Sequence, residues 1–159
     1  MIVNYKIHEV SEYINWIYFF HAWGFQPKFA AIADIHGCDS CRAMWLTGFA
    51  EEDRPKASEA MQLFKEANRM LNQLDAVYQT HGVVNIIGAF ATTVDAEMER
   101  LYAEDDYKRM LVQTLSDRLA EATAEKLHED VRKKLWGYAP DENLSVKDLH
   151  NEKYQGIRP

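Results

Sequence analysis

The spacing of apolar residues predicts two long helices that dominate the chain. Between residues 106 and 136 apolar side chains recur every three to five positions, with charged residues between them, which is helical periodicity with one buried stripe. Asp105 and Asp106 can cap the start of this helix, and Gly137 can end it. At 1.5 Å per residue the helix would be roughly 45 Å long, enough to span a domain. A second apolar stripe predicts a core helix over residues 56–79.

Two further stretches predict strands. Residues 2–7 alternate imperfectly between apolar and polar side chains, which favours a short edge strand. Residues 83–93 are almost continuously apolar and β-branched, as is typical of a strand covered on both faces. Because a buried strand needs neighbours on both edges, either the sheet is two-stranded and shielded by helices, or a second copy of the chain completes it in a homodimer. The predicted fold is α+β and predominantly helical, a single module over 1–159 with two long helices packed on a small antiparallel sheet.

Shorter helices connect these elements. The first carries aromatic residues on nearly every side, so that it is expected to be largely buried. Asn15 and His21 interrupt its aromatic run, and a buried Asn15 needs hydrogen-bond partners from the backbone or from a ligand. Ser145 is a candidate cap for the last helix. The predicted ranges are 11–23, 28–35, 39–47, 96–102 and 146–153.

Composition narrows the class of protein. The chain has 159 residues, of which 47% are hydrophobic, so one domain can bury a core without disulfides or metal. It contains no apolar run long enough to span a membrane and no secretory signal at its start, so a cytoplasmic location is the default expectation. The net charge of −7 repels phosphate backbones, and nucleic acid is not an expected partner.

One short motif could bind a metal ion. His36, Cys38 and Cys41 form an H-x-C-x-x-C cluster, in which three ligands could hold zinc if a fourth came from elsewhere. A redox CxxC pair is expected at the start of a helix that follows a strand, whereas both flanks here have helical patterns. The residues favour a plainer interpretation, in which Asp39 or Ser40 caps a helix and the cysteines pack as small apolar side chains.

The polar residues of the longest helix form a stripe of their own. Residues at steps of three and four carry charges, and their spacing favours a solvated face with ordinary ion pairs. The stripe consists of Arg118, Glu121, Glu125, Glu129 and Arg132. A run of cations at 132–134 suits the negative end of the helix.

Several strings resemble a known family. DRLAEATAEKLHEDVRKKLWGYAPDENLS, followed at the family's spacing by NEKYQGIRP, closely resembles the activation domain of cobalamin-dependent methionine synthase. YINWIYFFHAW, AMQLFKEANRMLNQL and IIGAFATT are similar to further segments of that family. The resemblance implies a module that takes part in methionine biosynthesis and supports a methyltransferase, with no activity expected of the isolated chain.

The resemblance also implies cofactors and partners. The family's domain binds S-adenosylmethionine and presents it to cobalamin, held by the cobalamin-binding domain of methionine synthase, after oxidation to cob(II)alamin. An electron from flavodoxin or a flavodoxin-like reductase, together with the methyl group of S-adenosylmethionine, restores methylcobalamin. The cations at 132–134 could dock an acidic flavodoxin, as an alternative to their ordinary role at a helix end.

Site residues carry over by position. Arg158 matches the arginine that contacts S-adenosylmethionine, and Pro159 begins the adjoining backbone segment. Glu121 and Glu152 match acidic residues of the same site, and Asn15 stands where the family has aspartate. This set suits the ligand, because a sulfonium and an ammonium favour carboxylates, whereas the ligand carboxylate suits an arginine fork.

The sequence departs from the family pattern at three places. The family has a long additional stretch between the positions of Val84 and Ile86, and it continues beyond Pro159 through a Gly-Tyr-Pro segment. Asn15 in place of aspartate removes a charge attraction worth about 1–2 kcal/mol. These departures predict weak or absent binding of S-adenosylmethionine by this chain alone. They leave open an alternative function, a shortened homologue without ligand binding that acts as a protein-interaction or dimerisation scaffold.

Overall fold

The computed structural model describes residues 2–35, 37–84 and 90–156. The strands are β1 (Ile2–Lys6), β2 (Gln79–Val84) and β3 (Phe90–Val94). The α-helices are α1 (Ile7–Ser11), α2 (Trp16–Ala22), α3 (Asp39–Thr47), α4 (Arg54–Asp75), α5 (Asp106–Asp130) and α6 (Val146–His150). Short 3-10 helices cover Pro27–Asp34 and Met98–Arg100, and a π-helix covers Val131–Leu135.

The chain divides into two compact units. The first unit comprises Met1–Asn15 and Leu71–Pro159, and the second comprises Trp16–Met70. The sheet, α5 and α6 belong to the first unit, whereas α2, α3 and most of α4 belong to the second.

The first unit is built around an antiparallel sheet in the order β1-β2-β3. In the β1–β2 pair Lys6 lies opposite Gln79, and in the β2–β3 pair Thr80 lies opposite Val94. Helix α5 packs against β2, β3 and α1, and Thr92 Oγ1 donates a 2.8 Å hydrogen bond to the carbonyl oxygen of Ala120. The predominantly helical α+β fold with a small antiparallel sheet is confirmed.

The predicted strand over 83–93 is wrong in its extent. The described residues of this stretch belong to two antiparallel strands, β2 and β3, while residues 85–89 lie outside the described part of the chain. Ala91 and Thr93 are exposed, so β3 is not covered on both faces. An apolar run indicates that a stretch is buried, but it does not indicate how many strands the stretch forms. The apolar pattern therefore did not predict the second strand. With β1 on one side and β3 on the other, β2 has both neighbours within one chain.

The second unit has an aromatic core. Trp16 packs edge-on against Phe19 and Phe64, with ring centroids 5.2 and 4.7 Å apart. Phe25 and Phe29 extend the cluster at 6.1 Å, and Phe29 stacks on Phe49. The predicted 11–23 helix is wrong in its start, because α1 ends at Ser11 and α2 begins only at Trp16.

The remaining predicted helices are present, but two of the short ones are shorter than predicted: 96–102 is a 3-10 helix over Met98–Arg100, and 146–153 ends at His150. Asp105 caps α5 by accepting a 3.0 Å hydrogen bond from the backbone of Lys108, and Gly137 follows the π-helix with a φ of +65°, a conformation that favours glycine. Ser145 caps α6 in a reciprocal pairing with Asp148. Helix α4 ends at Asp75 and not at the predicted residue 79, because Gln79 is already the first residue of β2. No helix in the described ranges is long and apolar enough to cross a membrane.

Candidate functional site

The predicted ligand residues fall in three places of the first unit. Glu121 lies on the second half of α5, Glu152 lies just after α6, and Asn15 lies directly before α2. Glu152 has a φ of +56°, which is uncommon for a residue with a side chain. Arg158 and Pro159 lie outside the described residues, so their predicted roles stay predictions.

A hydrogen bond brings the segments of Asn15 and Glu152 together. His150 Nε2 lies 3.1 Å from the carbonyl oxygen of Tyr13. Asn15 follows Tyr13 by two residues, and Glu152 follows His150 by two. Two of the predicted ligand residues therefore stand beside a direct contact between their segments.

Two tyrosines attach the N-terminal segment to α5. Tyr5 on β1 donates a 2.8 Å hydrogen bond to Asp130, and Tyr13 donates one to Glu129. Burial, followed by the hydrogen bond to the carboxylate, raises the pKa of each phenol above its ordinary value. Both phenols therefore stay protonated donors at neutral pH, and the segment that ends at Asn15 is fixed to the helix at two points.

Lysines compensate the carboxylates that these tyrosines contact. Lys126 and Lys134 lie 3.1 and 2.8 Å from Asp130, and Lys133 lies 3.3 Å from Glu129. Burial works against ionisation of Glu129, yet the Tyr13 hydrogen bond and the two neighbouring ammonium groups together hold its pKa below the ordinary value. The network is therefore charged and balanced near neutral pH.

The charged stripe of α5 is only partly solvated. Glu121 pairs with Arg118 at 2.9 Å with its side chain 55% exposed, as the spacing predicted. For two other members the solvated interpretation is wrong, because Glu125 and Arg132 are buried. For Arg132 the sequence could not reveal this, since Glu142 and Tyr154, which contact it, come from the chain beyond Trp136.

Arg132 is the most fully buried of these charges. Its guanidinium makes a forked contact with Glu142, with Nε to Oε2 at 2.9 Å and Nη2 to Oε1 at 2.5 Å, and it lies 4.5 Å from the ring centre of Tyr154. Within the described residues Nη1 has no hydrogen-bond partner. Arg132 is therefore unavailable for the flavodoxin-docking surface that the cations at 132–134 suggested.

The YQG segment lies against the end of α5. The ring of Tyr154 meets His128 edge-on at 4.7 Å, and Tyr138 donates a 3.1 Å hydrogen bond to the carbonyl oxygen of Gln155. A Cβ atom on Gly156 would lie 3.0 Å from Tyr138 Oη and 3.6 Å from His128 Nε2. The φ angle of Gly156 is +136°. The positive φ therefore favours glycine at this position, and a Cβ atom would also require the Tyr138 hydroxyl to shift by a few tenths of an ångström.

His128 is a neutral component of this contact. Burial, followed by the nearby charge of Arg132, lowers its pKa from 6.5 to about 4. The imidazole consequently packs against Tyr154 without adding a second cation beside Arg132.

The YQG contacts and Glu121 lie on the same face of α5. Glu121, Glu125 and His128 follow one another at steps of four and three residues, which places them on one side of α5, and Arg132 follows in the π-helix. The chain reaches Gly156 on that side, two residues before Arg158. This face can therefore present carboxylates to a cation beside the segment that carries the predicted arginine.

Sequence reasoning missed most of the residues that hold this arrangement. Tyr13, Glu142 and His150 make long-range contacts that no local pattern announces. Tyr154 and Gly156 stand inside the YQGIRP motif, and their place beside the predicted arginine in that motif was the available signal. That signal indicated the segment without indicating what each residue touches.

The cysteine motif differs from its prediction. Cys38 and Cys41 form a disulfide, Cys38 is exposed and Cys41 half-buried, so they do not pack as small apolar residues. Cys38 itself caps α3, where Asp39 or Ser40 was expected, because its Sγ accepts a 3.1 Å hydrogen bond from the backbone of Cys41. No group of three metal-binding side chains occurs in the described ranges, from which His36 is missing.

Comparison with protein families decides the relationship. The model of the family described as vitamin B12 dependent methionine synthase, activation domain, matches residues 6–86 and 74–159. The chain belongs to this family. Its two matched segments overlap at residues 74–86, around the place where the sequence predicts an internally shortened stretch.

A solved member of the family has the same fold. The crystal structure of the MetH reactivation domain bound to AdoHcy superposes with a TM-score of 0.77 at 29% sequence identity. The alignment covers 100% of this chain and 63% of that one, so the chain spans less than two thirds of that relative's length. That domain holds AdoHcy, the demethylated form of S-adenosylmethionine.

Proposed function

We propose that this activation domain binds S-adenosylmethionine and supports the reductive remethylation of cob(II)alamin held by a cobalamin-binding domain of methionine synthase. Membership of the family and the likeness to a domain that holds AdoHcy support the proposal. The observation that carries it is the position of the YQG segment, which packs on the α5 face that also bears Glu121.

The proposed site matches the charges of the ligand. Glu121 and Glu152 supply carboxylates for the sulfonium and ammonium groups, and Arg158 supplies a fork for the ligand carboxylate. Asn15 offers an amide oxygen, and the Tyr13–His150 contact holds its segment next to that of Glu152. The protein positions the methyl donor, and S-adenosylmethionine itself supplies the methyl group.

The electron comes from outside the domain. In this proposal a flavodoxin or a flavodoxin-like reductase delivers it to the cobalamin. Because Arg132 is buried, Lys133 and Lys134 are the cations of the 132–134 run that could contact the electron donor, although both pair with carboxylates of α5.

A reconstituted reaction tests the proposal. The chain is mixed with a cobalamin-binding domain in the cob(II)alamin state, reduced flavodoxin and methyl-labelled S-adenosylmethionine. We expect the visible spectrum of methylcobalamin to appear and the label to enter the cobalamin. Glu121→Gln should slow the reaction about tenfold or more at limiting S-adenosylmethionine, because it removes a carboxylate from a cationic ligand.

The matched control is Asp106→Asn, which neutralises an exposed carboxylate on the same helix that pairs with Arg109. It should leave the rate unchanged. Labelling that is the same with and without the chain would reject the proposal, and equal loss in both variants would reject Glu121 as a ligand residue.

A further inference from the structure

A disulfide opens α3 in the second unit. Cys38 and Cys41 are joined across two intervening residues, at the first turn of this nine-residue helix. A cross-link that closes so short a loop restricts the unfolded chain little, since the stabilisation by a disulfide grows with the loop it closes. Its place in the fold therefore gives it a small structural role.

The surroundings of Cys38 favour a thiolate in the reduced form. Its Sγ accepts a 3.1 Å hydrogen bond from the Cys41 amide and lies 3.3 Å from Ser40 Oγ. Arg42 lies one turn along the helix, and Asp39, whose side chain is 99% exposed, pairs with it at 3.6 Å. Amide donors at a helix start and a nearby cation are the features that activate cysteines in CxxC pairs.

An apolar cavity adjoins Cys41. Its volume is about 390 Å³, and it is lined by Asp34, Ile35, Ser40, Cys41, Met44 and Trp45. Met44 is 77% exposed, so its side chain is accessible at the edge of this cavity. An apolar group next to an approaching thiol could enter this cavity while the thiol meets the disulfide.

We propose that Cys38–Cys41 is a redox-active disulfide that exchanges two electrons with an external dithiol bearing an apolar group beside its attacking thiol. The two cysteines are accessible, paired and placed at a helix start, and the cavity adjoins them on one side. This activity is separate from the ligand site of the first unit.

The exchange proceeds in two steps. A thiolate of the dithiol attacks the exposed Sγ of Cys38, the Cys38–Cys41 bond breaks, and Cys41 leaves as a thiolate that takes up a proton. The second thiol of the reductant then attacks the mixed disulfide, closes its own disulfide and releases Cys38 as a thiol. Two electrons and two protons pass from the dithiol to the protein, and the reverse sequence reoxidises it.

Single-cysteine variants test the chemistry. In Cys41→Ser, Cys38 should react with 5,5′-dithiobis(2-nitrobenzoate) at pH 7 at least about tenfold faster than Cys41 does in Cys38→Ser, because only Cys38 receives the amide hydrogen bond. Far-UV circular dichroism checks that both variants are folded. Equal rates in two folded variants would overturn the assignment of Cys38 as the reactive thiol.

The unsubstituted chain provides an independent measurement. In a series of oxidised and reduced dithiothreitol buffers, acid quenching, alkylation and mass spectrometry should show both cysteines moving together through one two-electron midpoint. A pair that stays reduced in every buffer, or a disulfide that resists excess dithiothreitol in the folded protein, would overturn the proposal.

The cavity makes its own prediction. A dithiol peptide with phenylalanine next to its attacking cysteine should reduce the disulfide several times faster than the same dithiol peptide with serine there, and Met44→Ser should abolish the difference. Equal rates for the two peptides would overturn the role of the cavity. None of these measurements involves S-adenosylmethionine, so their failure is distinguishable from failure of the proposed function.

Discussion

At the scale of single residues, the pairing of Arg132 with Glu142 is the most consequential contact of the first unit. The Arg132 side chain is 0% exposed and that of Glu142 9%, so both charges have left water. Desolvation of each ion is costly, and the forked geometry repays it only while both partners are present. The pair also positions Arg132 over Tyr154, the first residue of the YQG segment.

Glu142→Gln should destabilise the protein by about 3 kcal/mol, because it leaves the buried guanidinium without a counter-charge. Urea unfolding followed by circular dichroism measures the loss. The control Glu59→Gln removes an exposed carboxylate that pairs with Lys56 on α4, and it should change the free energy of unfolding by less than about 1 kcal/mol. Similar losses in the two variants would contradict the buried position of Arg132.

At the scale of elements, the position of the N-terminal segment of the candidate site depends on its contacts with other elements. It runs from β1 through α1 to Asn15, and α5 holds it through the two tyrosine–carboxylate contacts. Pairing of β1 with β2, the contact of His8 with Asp75, packing on α5 and the His150 contact together define its path. The orientation of Asn15 is therefore expected to depend on Tyr13.

Tyr13→Phe should cost about 1.5–3 kcal/mol of stability, because it removes a hydrogen bond to an ionised group and leaves Glu129 with one partner fewer. Thermal or urea unfolding measures this loss. Tyr18→Phe is the matched control, since the Tyr18 side chain is half-exposed, and it should change stability by no more than about 0.5 kcal/mol. A Tyr13→Phe protein as stable as its control would show that the phenol does not fasten the segment.

The elements themselves were largely predictable. Apolar spacing located α4 and α5 within a few residues, and side-chain caps located the start of α5 and of α6. The division of this stretch into β2 and β3 was not predictable in the same way. Apolar side chains indicate burial, and they do not indicate where one strand ends and the next begins. The break before Trp16 was hidden for a similar reason, since aromatic residues continue across it.

At the scale of the whole molecule, the candidate site was predictable as a set of motifs and not as an arrangement. The resemblance selected Glu121, Glu152 and Asn15, and the structure adds which segments meet. Burial of Arg132 depends on Glu142 and Tyr154, which follow Trp136 in the chain, and a periodic pattern on one helix cannot indicate such contacts. The disulfide was missed because the CxxC spacing alone fits a metal site, a redox pair or plain packing.

The departures from the family bear on how tightly the proposed ligand binds. Asn15 keeps an acceptor oxygen, and it lacks the negative charge that would attract a sulfonium or an ammonium group. The attraction lost is about 1–2 kcal/mol, which corresponds to a factor of about 5–30 in the dissociation constant. Restoring the charge should therefore strengthen binding, and that outcome separates a specific site from a general loss of structure.

Calorimetric titration of the chain with S-adenosylmethionine, carried out on the unsubstituted protein, Asn15→Asp and Arg158→Ala, tests directly whether the chain binds this ligand at the proposed site. We expect one saturable site per chain, binding about 5–30-fold tighter in Asn15→Asp, and binding about tenfold or more weaker in Arg158→Ala. No binding heat from the unsubstituted protein or from Asn15→Asp, or equal affinities in all three, would contradict it.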